Sequence, residues 1–164
     1  MQKGSDHMTQ TIELLGVQHQ DVLARLTAVE ADIVGRQDTD LADFTAYLET
    51  DVAQHFALEE RALFPAMARH LGLDHGPLAV MNAEHASFRE LLSKLADVVR
   101  GGDRAAQRAH AGALIELLRA HIYKEDHILF PMAARLLSDA ELAEVDTQAA
   151  GLDGATTPGN EFPG

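Results

Sequence analysis

Apolar residues recur at steps of three and four along most of this chain. From about Thr9 to Gln37 they fall at Ile12, Leu15, Val22, Leu26, Val29 and Ile33, one face of a long helix. Asp38, Thr39 and Asp40 are good N-cap residues for a second helix, which runs to about Leu71 and stops before Gly72. Gly76 and Pro77 open a third, with Leu78, Met81, Phe88, Leu92, Leu95 and Val99 on one stripe; proline suits a first helical position. Gly101 and Gly102 end it, and Asp103 caps a fourth that reaches about Leu137. Ser138 with Glu141 three residues on is a capping box for a short fifth helix. No stretch alternates apolar and polar residues strongly enough for a strand. The pattern predicts an all-α fold, an antiparallel up-down-up-down four-helix bundle over residues 9–149 with a short C-terminal helix. Residues 150–164 have the composition of a flexible tail, and residues 1–8 read as a cloning remnant.

Composition narrows the chemistry. At 46% apolar and 24% charged residues, the chain of 164 should fold around a core. Thirteen Lys and Arg face 26 Asp and Glu, a net charge of −13, which argues against nucleic acid or an anionic membrane as partner. There is no cysteine, so disulfides, thiolate metal sites and thiol nucleophiles are excluded. No apolar run approaches the ~20 residues of a membrane span. These features lead to the expectation of a soluble, cytoplasmic domain. The outlier is histidine: nine of them, in a chain with no tryptophan and two tyrosines.

Shifted by 66 positions, the chain matches itself. HFALEERALFPAMARHL from His55 and HIYKEDHILFPMAARLL from His121 share eight of 17 positions: the His, a Glu four residues on, Leu-Phe-Pro, then Ala, Arg and Leu. The same shift carries His19 onto His85 and Leu26 onto Leu92. One helical hairpin is used twice, each copy supplying a lone His and a His-x-x-x-Glu.

These polar residues interrupt apolar seams. His19 lies between Leu15 and Val22, and His85 between Met81 and Phe88. His55 and Glu59 share a face with Leu48, Val52 and Ala62; His121 and Glu125 share one with Leu114, Leu118 and Ile128. Residues four apart in a helix are ~40° and ~6 Å apart, so each His and its Glu can converge on one point. Counted from the hairpin turns, His19 matches His55 and His85 matches His121 in height to within ~3 Å; the middle connection fits less well, and Arg69 to Gly76 has to absorb the slack. A single His on such a face is more often an ordinary core residue. A buried, unpaired carboxylate, however, costs several kcal/mol, about the scale of a polar group left without partners. Six such residues without Lys or Arg on their stripes call for a cation between them. Four imidazoles and two carboxylates suit two ions bridged by Glu59 and Glu125, with positions left open on each. Nitrogen and oxygen ligation without sulfur favours iron, then manganese or zinc. Pro65 and Pro131 are placed to kink helices 2 and 4 just past these residues.

At His19, His55-x-x-x-Glu59, His85, His121-x-x-x-Glu125 and the Leu-Phe-Pro signature, the chain resembles the hemerythrin family, more closely its bacterial HHE cation-binding branch. The resemblance covers roughly Thr9 to Leu137. It implies a non-haem di-iron centre inside a four-helix bundle, bridging roles for Glu59 and Glu125, and oxygen, nitric oxide or peroxide as ligands. Two departures stand out. Hemerythrins carry a second His four residues after the one on helix 3, and here that position is Arg89. The oxygen carriers also use a His-x-x-x-x-Asp on helix 4, a spacing that Asp126 satisfies, so Asp126 rivals Glu125 as the ligand. The paired His-x-x-x-Glu is similar to iron-centre repair proteins and iron-sensing hemerythrin domains. Those repair proteins often carry an extra cysteine-containing segment, absent here. His70, His75, His110 and His127 fall away from the centre, and Tyr47 and Tyr123 read as boundary packing rather than hydroxyls serving the ligands.

Three functions follow as expectations. The first is a non-haem di-iron protein binding or sensing a small diatomic ligand, O2 or NO. The second is an enzyme or iron donor, reducing peroxide or repairing iron centres. The third is a metal-free bundle acting as an interaction module.

Overall fold

A computed structural model of the chain describes residues 9–36 and 38–155; the expected remnant at 1–8 and the tail from 156 onward lie outside the described residues. Five helices account for almost all of the described residues, and no strand occurs among them. Helix α1 is Gln10–Gly35, capped by Thr9, whose hydroxyl accepts from the Ile12 N–H at 3.2 Å. Helix α2 runs over residues 42–71, α3 is Pro77–Gly101, α4 runs over residues 104–136, and α5 is Asp139–Ala155. The N-cap position of α2 falls on Leu41, which makes no side-chain cap bond, rather than on Asp38, Thr39 or Asp40. Asp40 accepts from the Ala42 N–H at 2.9 Å, whereas the Thr39 hydroxyl donates back to the last carbonyls of α1. Asp103 caps α4 through the Ala106 N–H, and Gly102, at φ 75°, closes α3 in the left-handed conformation that glycine adopts without steric cost.

The core shows the direction of each helix. One apolar cluster gathers Ile12 and Leu15, Leu63 to Met67, Leu78 and Met81, and Leu129 to Ala133. A second gathers Val22 to Val29, Leu41 to Phe56, Phe88 and Leu95, and Ala111 to Ile122. The start of α1 therefore meets the end of α2, the start of α3 and the end of α4, which is the up-down-up-down arrangement. Between the two clusters lies a buried polar layer: His19, His55, Glu59, His85, His121 and Glu125, each at most 4% exposed.

Two details depart from the sequence reading. The C-terminal helix is present as expected, and its 17 residues continue past 149, the expected end of the bundle, to Ala155. Leu142 and Val145 bury against the first cluster, and Asp146 accepts from both the N–H and the hydroxyl of Thr11, at 3.0 and 2.6 Å. Those anchors hold its middle against the bundle. The expected kinks at Pro65 and Pro131 take the form of π-helical turns, Glu59–Leu63 and Glu125–Leu129, equivalent under the shift of 66. The Phe64 N–H bonds the Glu59 carbonyl and the Phe130 N–H that of Glu125, one residue further back than in an α-helix. Proline brings no N–H and its ring crowds the carbonyl four residues back, so a widened turn relieves both problems. The extra residue rotates the next turn of the helix: Leu129 enters the core at 1% exposed, and Ile128, expected inside, is 50% exposed. A third π turn, Leu48–Val52, has no counterpart in α4.

Because the clusters are separate, damage to the second should spare the polar layer. Leu114→Ala should lower unfolding free energy by about 2–5 kcal/mol in urea titration, while metal content per folded chain stays unchanged.

Candidate metal centre

Six side chains from four helices meet at mid-height. α1 supplies His19, α2 His55 and Glu59, α3 His85, and α4 His121 and Glu125. The imidazoles meet edge on, with Nε2 of His19 and His55 3.1 Å apart and Nε2 of His85 and His121 3.2 Å apart. Glu59 spans the pairs: Oε1 lies 2.6 Å from His55 Nε2, and Oε2 lies 3.1 Å from His85 Nε2. Glu125 also spans them, with Oε1 2.9 Å from His121 Nε2 and 3.4 Å from His19 Nε2. Two sets of ligand atoms result, His19–His55–Glu59–Glu125 and Glu59–His85–His121, with Glu59 in both.

The outer ring nitrogens explain why the inner ones face one another. His19 Nδ1 donates to Asp126 at 2.6 Å, His85 Nδ1 to Glu60 at 2.7 Å and His121 Nδ1 to Glu84 at 3.1 Å, while His55 Nδ1 lies 2.8 Å from Gln18 Oε1. An ionised carboxylate only accepts, so in His19, His85 and His121 the proton sits on Nδ1 and the Nε2 lone pair is aimed inward. Both oxygens of Glu59 and of Glu125 are buried and accept no directed hydrogen bond. Lone pairs of nitrogen and oxygen thus converge on shared points, which is unfavourable for them alone and is the arrangement a cation requires. The spacing agrees: ligand atoms ~2.1 Å from one ion and at right angles lie ~3 Å apart.

Without a cation, protons take up the strain. Burial acts to raise the Glu59 carboxyl, but the imidazoles of His55 and His85 outweigh it and hold Glu59 well below the usual carboxylate range. Burial, then the charge of Glu59, push Glu125 up. Burial acts to depress His121, yet Glu125 beside it and the charge of Glu59 lift its imidazole to about 9. His19 is raised against its burial by Glu125 and Asp126. Aromatic rings close the layer: Phe56 stacks on His85 at 3.8 Å between centroids, Phe130 on His19 at 5.3 Å and Phe64 on His85 at 5.6 Å.

The structure brings all six expected residues together. Asp126, the rival to Glu125, is 27% exposed and faces the outer nitrogen of His19 rather than the interior. Arg89, at the position of the missing histidine, binds Glu60 at 2.6 and 2.9 Å, and Lys124 binds Glu84 at 2.6 Å. Gln18, Glu60 and Glu84 are not apparent from seam positions, because they flank the seams; the repeat could have found them, since the shift of 66 pairs Gln18 with Glu84 and Glu60 with Asp126. Tyr123 is 62% exposed against His127, and Tyr47 packs beneath Arg25, 4.6 Å from its ring centre. His70 pairs with Glu141 at the bundle's end.

The raised His121 has a consequence whose sign can be worked out. A folded-state pKa above the unfolded value of ~6.5 contributes stability that is complete below ~6.5 and lost as pH rises through about 9. The raised Glu125 acts in the same direction. Metal-free protein should therefore show a lower urea midpoint at pH 9.5 than at pH 6.5. With metal bound the ligands are already deprotonated, and this decline should disappear.

The family model of the hemerythrin HHE cation-binding domain matches residues 10–133. Among curated proteins, the chain is 34% identical over 103 residues to the iron-sulfur cluster repair protein YtfE of Yersinia pseudotuberculosis serotype IB (strain PB1/+), covering 57% of this chain and 46% of that protein. It is 32% identical over 104 residues to the YtfE of Dickeya chrysanthemi (strain Ech1591), covering 58% of this chain and 47% of the relative. The chain thus spans about half the length of the curated relatives it matches. No solved structure matches it significantly. Together, the match over 10–133 and the His/Glu layer enclosed within it show that the chain belongs to the hemerythrin family, as an HHE cation-binding domain.

Proposed function

We propose that the polar layer holds two iron ions side by side and presents them to a small diatomic ligand, O2 or NO. The carrying observation is the set of four buried carboxylate oxygens that accept no hydrogen bond while facing four inward imidazole nitrogens. His19 and His55 would hold one ion, His85 and His121 the other, with Glu59 and Glu125 shared between them. The His19–His55 group includes an oxygen of each glutamate and the His85–His121 group an oxygen of Glu59, so ions held there would keep room for an exogenous ligand. Reduced iron in such a centre supplies open coordination positions and one-electron redox chemistry. The chain does the rest. Asp126, Gln18, Glu60 and Glu84 orient the rings, the apolar clusters on either side limit water, and burial of the layer favours ligands of few atoms.

The relatives' name favours a second reading. They are described as iron-sulfur cluster repair proteins, and a centre of this kind in this chain would serve as an iron donor. A metal-free interaction module is disfavoured by six inward polar groups that only a cation satisfies together.

Metal analysis after purification without an affinity tag should find two iron ions per chain, and Glu59→Gln should bring the content below one. Azide or NO should produce new near-ultraviolet bands in the iron form; iron-loaded protein that is spectrally indifferent to both would remove the ligand-binding reading. Restoration of an iron-depleted cluster protein by the loaded chain, faster than by free ferrous iron, would select the donor reading.

A further inference from the structure

The shift of 66 relates not only the inward residues but the groups that hold them from outside, and at one place the two halves differ in chemistry. Asp126 behind His19 and Glu60 behind His85 are equivalent, and both are carboxylates. Gln18 behind His55 and Glu84 behind His121 are also equivalent, but there an amide stands where its counterpart is a carboxylate. The difference extends outward. Lys124 clamps Glu84 at 2.6 Å, and the position equivalent to Lys124 is Leu58.

An amide and a carboxylate do not hold an imidazole in the same way. A carboxylate accepts only, so Glu84 keeps the His121 proton on Nδ1 and its Nε2 lone pair inward. The Gln18 amide carries an acceptor and two donors, and by turning over it satisfies His55 Nδ1 whether or not that nitrogen bears the proton. His55 alone among the four can thus shift its proton to Nε2, the form that holds no metal, without stranding its outer nitrogen. The hydrogen bond is also weaker, since one to a charged acceptor is roughly twice as strong as one to a neutral acceptor. A carboxylate partner further raises the donor strength of the ring.

A second observation concerns the same ring. A groove of about 540 Å³ runs between α1 and α2, and its lining includes Gln18, Leu58 and His55 itself, with Tyr47 and Leu152 further along. His55, 4% exposed, and the Gln18 amide behind it therefore stand at the wall of this groove.

We propose that the two ions differ in lability: the one held by His19 and His55 is the exchangeable ion, Gln18 is the positioning residue that makes it so, and the α1–α2 groove is its route. This inference rests on the two-ion reading above.

The test is anaerobic release of iron from the two-iron protein to a strong ferrous chelator. Release should occur in two phases of one ion each. Gln18→Glu should slow the fast phase by about tenfold, the scale of outer-partner effects on metal affinity, and leave the slow phase in place. Glu84→Gln should speed the slow phase, and it carries the test from the other half should the first variant fold poorly. Protein emptied of its fast ion and refilled with 57Fe should show one Mössbauer doublet, moved by Gln18→Glu and not by Glu84→Gln. A general loosening of the fold would alter both phases together. Two ions leaving in a single phase, or a fast phase indifferent to Gln18→Glu, would overturn the inference while leaving the two-ion centre standing. Fewer than two ions per chain in the starting protein would overturn both.

Discussion

The bundle is organised around an unfavourable contact. Lone pairs on four imidazoles and two carboxylates are driven together in a region from which water is largely removed, and nothing in the chain itself satisfies all of them. The apolar clusters above and below supply the stability that tolerates this layer. The outer carboxylates keep it from relaxing, because behind His19, His85 and His121 each holds an Nδ1 proton in place and leaves Nε2 nowhere to point but inward. The raised proton affinity of His121 and Glu125 is the chain's own partial answer, and a metal cation would be the complete one.

Much of this is legible in the sequence because periodicity reports which residues face inward. Steps of three and four locate four long helices, and six polar residues standing where Leu or Ile belongs locate the centre. The expectations that fail do so where the helix departs from regularity. Counting 3.6 residues per turn places Ile128 inside, and the π turn at Glu125–Leu129 turns it outward in favour of Leu129. Pro65 and Pro131 signal a disturbance but not its form. The length of α5 is obscured by glycine at 151 and 154, since its anchor to Thr11 is a tertiary contact that no local pattern announces.

The groups behind the histidines are hidden for another reason. Gln18, Glu60 and Glu84 flank the seams, where charged and polar residues are expected anyway. Only the internal repeat distinguishes them from ordinary surface residues, by placing each beside an inward residue in both copies. Asp126 is visible through its spacing from His121, and that spacing suggests a ligand; its Oδ1 instead meets the back of His19 on the neighbouring α1.

The separation of the two apolar clusters carries a mechanical consequence. Each hairpin contributes to both ends of the molecule, so the ends are tied to one another chiefly through helix backbones and through the layer at the waist. A cation seated there acts as a clasp, drawing four helices together at the height where side-chain packing is least favourable. Its loss would let the waist slacken while both ends stay closed, and the widened turns beside Glu59 and Glu125 mark where that slack would be taken up.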